Sequence, residues 1–167
     1  HSLAVDATNK FEETRISVKD FINAKFKEEI IFTKNATEAI NLVATTFGQQ
    51  NIEKGDEIII TELEHHSNIV PWQLIKEIKD IELKVVPINK DGSLNIDKLR
   101  EFLSHKTKLV SLTHVSNVLG TILPVREIAD LVHSNGSRLL VDGCQGIVHQ
   151  QVDVKEMDCD FYVFSGH

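Results

Sequence analysis

Leu139-Leu140-Val141-Asp142-Gly143-Cys144-Gln145-Gly146 is an apolar run that ends on a carboxylate and passes at once into small and polar residues. Large aliphatic side chains in unbroken succession describe a strand covered on both faces, the condition met when helices sandwich a parallel sheet. A half-exposed strand would alternate apolar with polar. Asp142 therefore marks the carboxyl end of a buried strand. A carboxylate there costs free energy unless a cation or a hydrogen-bond donor meets it.

The same grammar repeats outward along the chain. Glu57–Thr61, Leu83–Ile88, Lys108–His114, Leu139–Asp142 and Phe161–Phe164 read as strands, and Ile30-Ile31-Phe32 as a further short one. Helical stretches lie between them. Leu3 to Lys27 is helix-like, with rough apolar spacing at Val5, Phe11, Ile16, Val18, Ile22 and Phe26. Asn35 is a cap with Glu38 three residues on, a capping box, and the helix it opens carries Ala39, Ile40, Leu42, Val43 and Phe47, with Gly48 as the expected stop. Asn68–Lys79 is a helix. Asp91-Gly92 is a turn. Asn95 caps a helix to about Leu103, and a helix from Pro124 ends at Gly136. Strands alternating with helices predict an α/β fold, a three-layer α/β/α sandwich on a mainly parallel sheet. No repeat or Gly/Ser/Pro-rich linker breaks the 167 residues, so one folding unit is expected.

Composition narrows the function. Hydrophobic residues make up 41% and charged residues 26%, and 18 basic against 25 acidic side chains leave a formal charge of -7. That balance argues against nucleic acid as a partner, since phosphate backbones need a basic face. No apolar run is long enough to cross a bilayer, and no secretory leader is visible at the start. The two cysteines, Cys144 and Cys159, have neither metal-site spacing nor the pattern of a disulfide framework, so a reducing, cytoplasmic compartment is expected.

In an open α/β sheet, ligands lie beyond the carboxyl ends of the strands. The polar residues there are the candidates. Asn35-Ala36-Thr37 opens a helix, where free amides, the helix dipole and a hydroxyl suit a phosphate; an ordinary helix cap explains the same residues. Glu64-His65-His66-Ser67-Asn68 offers two adjacent histidines. Side chains at adjacent strand positions point to opposite faces, so one is expected at a pocket and the other in a structural role, and no metal site is expected. Asn117, in His114-Val115-Ser116-Asn117, is either a neutral donor and acceptor for a ligand or a loop residue. Asp142 is either a helix cap or the partner of a cation such as a protonated pyridine nitrogen. Phe161-Tyr162-Val163-Phe164-Ser165-Gly166-His167 is a strand that ends in small and polar residues.

Taken in order, five segments resemble the class V aminotransferase family of fold-type I pyridoxal-phosphate (PLP) enzymes, and within it the SufS-type cysteine desulfurases and selenocysteine lyases. They are Ala36–Ala44, Glu64–Gln73, His114–Thr121, Val141–Gln145 and Asp158–His167. The resemblance implies roles. Ala36 and Thr37 match the phosphate-binding turn, and Ser165 and His167 further phosphate ligands. His65 matches the imidazole stacked on the cofactor ring, which also assists proton transfer. Asn117 matches a side chain near the ring's phenolic oxygen and the substrate, and Gln145 the donor to that oxygen. Asp142 matches the partner of the pyridine nitrogen, whose charge keeps the ring protonated. Cys144 stands where the family usually has alanine, and Asn35-Ala36 where glycine-threonine is common.

The resemblance further implies conversion of L-cysteine to L-alanine, with the sulfur passed as a persulfide to an acceptor protein for iron–sulfur cluster assembly, by a homodimer. Selenocysteine lyase, another class V aminotransferase, or a non-catalytic α/β assembly module are the alternatives. In the family pattern the cofactor-binding lysine directly follows the residue matched by His167, and the nucleophilic cysteine and a small C-terminal domain come later. Residues 1–167 are thus expected to be most of the PLP-binding large domain, without covalently bound PLP and without activity alone.

Overall fold

The computed structural model describes residues 2–166. Helix α1 (Ser2–Phe21) leads through a loop to α2 (Ala36–Val43), which widens into a π-helical turn at Ala44–Gly48 and runs on as α3 (Gln49–Asn51). Then follow β1 (Glu57–Thr61), α4 (Val70–Lys79), β2 (Glu82–Val86), α5 (Ile96–Phe102), β3 (Thr107–Thr113), α6 (Val125–Ser134), β4 (Arg138–Asp142), the single turns α7 (Gly146–His149) and α8 (Val154–Met157), and β5 (Phe161–Val163). The five strands form one sheet in the order β2-β1-β3-β4-β5, and every pairing is parallel. The expected α/β sandwich is observed.

Alternate residues of each inner strand feed two separate cores, as a pleated sheet requires. On one face Ile58, Ile60, Leu109, Leu140 and Val163 pack with Ile40 and Ala44 of the α2 run and with Trp72 and Ile75 of α4. On the other, Ile59, Val110, Leu112, Leu139 and Val141 pack with Leu99 of α5 and with Ile128, Ala129 and Val132 of α6. Helices thus cover both faces, which is why these strands read as unbroken apolar runs. A third, small cluster joins Ile22, Ala24, Ile30 and Val152 beyond β4 and β5.

Local signals behave as their chemistry dictates. Asn35 Oδ1 accepts from the Glu38 amide at 2.9 Å, as a cap does; the reciprocal bond of a capping box is displaced by one residue, since the Glu38 carboxylate accepts from the Lys34 amide rather than from that of Asn35. Asn95 caps α5 through the Lys98 amide at 2.9 Å. Gly92 and Gly136 adopt φ +84° and +80° at their turns.

Three expectations are corrected. Ile30-Ile31-Phe32 joins no strand: Ile30 is buried in the small cluster, Ile31 is exposed, and Phe32 lies edge-on to Phe11 at 5.0 Å. Gly48 does not stop its helix, because the π-helical turn absorbs it and α3 continues. Helix α1 ends at Phe21 rather than near Lys27, since Asn23 turns the chain with φ +54°.

Candidate active site

The site is built at the carboxyl edge of the sheet. Asp142 closes β4 and is 4% exposed. Its Oδ1 accepts from the Cys144 amide at 3.1 Å, an Asx turn that directs the carboxylate back over the chain. None of the ion pairs among the described residues involves Asp142. Among the described residues it is a buried carboxylate without a cation.

The turn after Asp142 is packed so tightly that only glycine fits. A Cβ on Gly143 would overlap the Tyr162 ring, and one on Gly146 would overlap the His114 ring and lie 2.9 Å from the Tyr162 hydroxyl. His114 and Tyr162 hold each other through a 3.0 Å hydrogen bond between Nδ1 and the hydroxyl. Burial pushes the His114 imidazole below its ordinary value and the Tyr162 phenol above its own. Gln145, partly buried, is the residue that leads into α7.

Ser165 follows β5, and its Oγ accepts from the Ala36 amide at 3.2 Å. That bond brings the amino end of α2, with the exposed Thr37 hydroxyl in its first turn, to the same edge. Cys144 lies between, in contact with both Asp142 and Ser165. Burial, and then the Asp142 charge, push its thiol up to about 11. Asn117 follows β3 on an exposed loop whose turn is held by Ser116 Oγ, which accepts from the Val118 and Leu119 amides.

His65 is exposed after β1 and caps the short turn His66–Asn68: its Nδ1 accepts from the Ser67 amide at 3.3 Å and lies 2.8 Å from Ser67 Oγ. The expectation that His65 and His66 diverge is corrected. The chain here is a tight turn rather than a strand, so the two rings lie with centroids 4.0 Å apart, both exposed. His167 lies outside the described residues. Among the described residues no cluster of His, Cys, Asp or Glu could hold a metal ion, and no helix is long and apolar enough to cross a membrane.

Every described candidate thus follows the carboxyl end of a strand or opens α2. One residue of the segment after β1 was given no role by the sequence. Glu64, next to His65, accepts from Thr61, Asn68 and the Thr113 amide, and burial, joined by the Asp142 charge, pushes it up to about 7. An acid three residues beyond an all-buried strand, with Glu62 nearer to that strand, was its only trace in the sequence.

The residues fit PLP. A buried carboxylate without a cation suits a protonated pyridine nitrogen, and a helix amino end with Thr37 and Ser165 hydroxyls suits a phosphate. The comparisons agree. The aminotransferase class-V family matches residues 1–167, the whole chain.

The chain belongs to the class V aminotransferase family.

The family is PLP-dependent. A cysteine desulfurase from Shigella sonnei (strain Ss046) is 50% identical over all 167 residues, which span 41% of that relative. The apo structure of a cysteine desulfurase from Thermococcus onnurineus NA1 superposes with a TM-score of 0.94 at 40% identity, over 100% of this chain and 41% of that one. A C-DES mutant with glycine covalently linked to its PLP cofactor matches with a TM-score of 0.84 at 27% identity, over 96% of this chain and 44% of that one. The chain spans about two fifths of the length of the curated relatives it matches.

Proposed function

We propose that residues 1–167 form most of the PLP-binding large domain of a cysteine desulfurase of the SufS type. The whole protein would convert L-cysteine to L-alanine and pass the sulfur, as a persulfide, to an acceptor protein for iron–sulfur cluster assembly. It would act as a cytoplasmic homodimer. The observation that carries the reading is Asp142, a carboxylate 4% exposed at the carboxyl end of β4 with no ion-pair partner among the described residues.

When bound, PLP supplies an electron sink that stabilises negative charge at the substrate's α-carbon. The chain's own residues give that sink its setting. Asp142 would hold the proton on the pyridine nitrogen, and its burial strengthens the attraction. Thr37, Ser165 and the first turn of α2 would anchor the phosphate, with Ala36 contributing through its backbone, and His167 is assigned beside them by the family pattern. His65 would cover one face of the ring and assist proton movement. Gln145 would donate to the phenolic oxygen, and Asn117 would meet that oxygen and the substrate. The half-buried Cys144 thiol, held protonated, is no candidate for the sulfur acceptor.

The test is the full-length protein, purified with PLP and given L-cysteine and a reductant. Alanine and sulfide released in equal amounts are expected. Alanine release from selenocysteine alone, or amino transfer to keto acids without sulfide, would overturn the reading.

A further inference from the structure

Glu64 has no part in the roles assigned above, yet it is the most heavily bonded carboxylate beside the site. Its Oε1 accepts from Thr61 Oγ1 at 2.6 Å and from the Thr113 amide at 3.0 Å, and its Oε2 accepts from Asn68 Nδ2 at 2.6 Å. Asn68 is fully buried, and its Oδ1 accepts from Ser111 Oγ at 2.6 Å and from Trp72 Nε1 at 3.1 Å. The Thr113 hydroxyl donates to Val115 O at 2.9 Å and lies 3.5 Å from Asp142 O. A single carboxyl therefore joins the end of β1, the turn before α4 and the end of β3. Hydrogen bonds to an ionised acceptor are the strong ones.

His65 is the next residue. The Ser67 amide can only donate, so the His65 Nδ1 that accepts it carries no hydrogen, and Nε2 is the protonated nitrogen of the neutral ring. The ring's direction thus depends on a turn anchored to the sheet through Glu64 and through the bond from Ser111 to Asn68.

We propose that Glu64 is a positioning residue for His65: its carboxyl clamps the β1–α4 turn to the end of β3, and thereby sets the direction of the imidazole and which ring nitrogen bears hydrogen. The proposal rests on the reading of His65 as the imidazole over the cofactor ring. The charged groups around the clamp are Asp142, facing it from the β3–β4 side, and the titratable His65 and His66 on its own turn. Burial and Asp142 both favour the neutral acid, while the three donors favour the anion, so the clamp changes charge near pH 7.

Glu64→Gln in the full-length protein tests it. Wherever the amide nitrogen lies, it faces a donor: Asn68 Nδ2 on one side, the Thr113 amide on the other. One clamp bond must fail. Nitrogen-15 spectra of the histidine rings, recorded at pH 8 on cofactor-free protein with His65 assigned by its absence in His65→Ala, read the tautomer directly. The wild-type spectrum is expected to show hydrogen on Nε2 alone, and Glu64→Gln a mixture. With PLP, kcat should fall about tenfold or more while KM and PLP content stay within about twofold. An unchanged tautomer, or a loss confined to KM, would overturn the proposal. Should Glu64→Gln fail to fold, Thr61→Val deletes one donor to Oε1 and carries the same readout at about threefold in kcat, an unchanged tautomer again overturning it. His65→Ala separates the two readings. A wild-type rate there sinks the assignment of His65, whereas a crippled His65→Ala beside an inert Glu64→Gln sinks the role of Glu64 alone.

Discussion

Ala36 and Ser165, 129 positions apart, meet through a 3.2 Å hydrogen bond from the Ala36 amide to the Ser165 hydroxyl. It ties the amino end of α2 to the loop after β5 and sets a hydroxyl at the proposed phosphate site. Ser165→Ala in the full-length protein should weaken PLP binding about tenfold, roughly 1.4 kcal/mol, as loss of one hydrogen bond predicts. Equilibrium dialysis measures this; an unaltered affinity would remove Ser165 from the phosphate site.

Asp142→Asn keeps the shape of the side chain and removes its charge. Circular dichroism should be unchanged, and alanine release should slow about 100-fold, roughly 2.7 kcal/mol. A rate within about twofold of wild type, roughly 0.4 kcal/mol, is too small for a carboxylate holding the ring proton.

Glu64 gives a pH signature in stability. Its folded value, about 7, lies above its ordinary 4.5, so the folded state holds the proton more tightly. The stabilisation from this group is complete below pH 4.5 and is lost as pH rises through 7, at most about 3 kcal/mol. Glu64→Gln is neutral at every pH. The stability difference between variant and wild type, from urea unfolding at pH 4.5 and 7.5, should therefore shift toward the variant by about that amount. A difference that does not vary with pH contradicts the burial of this acid.

A methyl group at Gly146 has no room beside His114 and Tyr162, whereas one at Gly166 meets nothing within 4 Å. Gly146→Ala should destabilise by about 3 kcal/mol or prevent folding, and Gly166→Ala should change stability by less than about 0.5 kcal/mol. Thermal denaturation of the two variants distinguishes them.

With thiols pushed up to about 11 and about 12, Cys144 and Cys159 are almost wholly protonated at neutral pH. Iodoacetamide at pH 7.5 should alkylate neither appreciably in the folded protein, as peptide mapping would show. Cys144→Ala should retain turnover within about twofold. Rapid labelling of Cys144 would mean that the Asp142–Ser165 contacts are not as described.

The inner strands were legible because burial on both faces leaves an unbroken apolar run, as at Leu139–Val141. The Asn35 and Asn95 caps were legible because their partners lie three residues away. Ile30-Ile31-Phe32 misled because the same composition serves a chain segment that lays Ile30 into a small cluster and leaves Ile31 exposed. Gly48 misled because a π-helical turn tolerates it. In the site, Asp142 announced itself by ending an apolar strand. Glu64 did not, since its bond to Thr113 spans 49 positions and no local pattern encodes it. The rings of His65 and His66 lie close together, tilted by 44°, because a tight turn, not a strand, carries them, and that turn is held by Asn68 and Glu64.

The strand order carries a consequence for biosynthesis. β5, the last strand among the described residues, lies at one edge of the sheet, and the serine just beyond it bonds the amino end of a helix made far earlier. While the ribosome is still extending the chain, α2 can form but its partner hydroxyl does not yet exist. The amino end of α2 is thus made before the hydroxyl that it bonds, and the contact between them forms only once Ser165 has emerged beside Ala36.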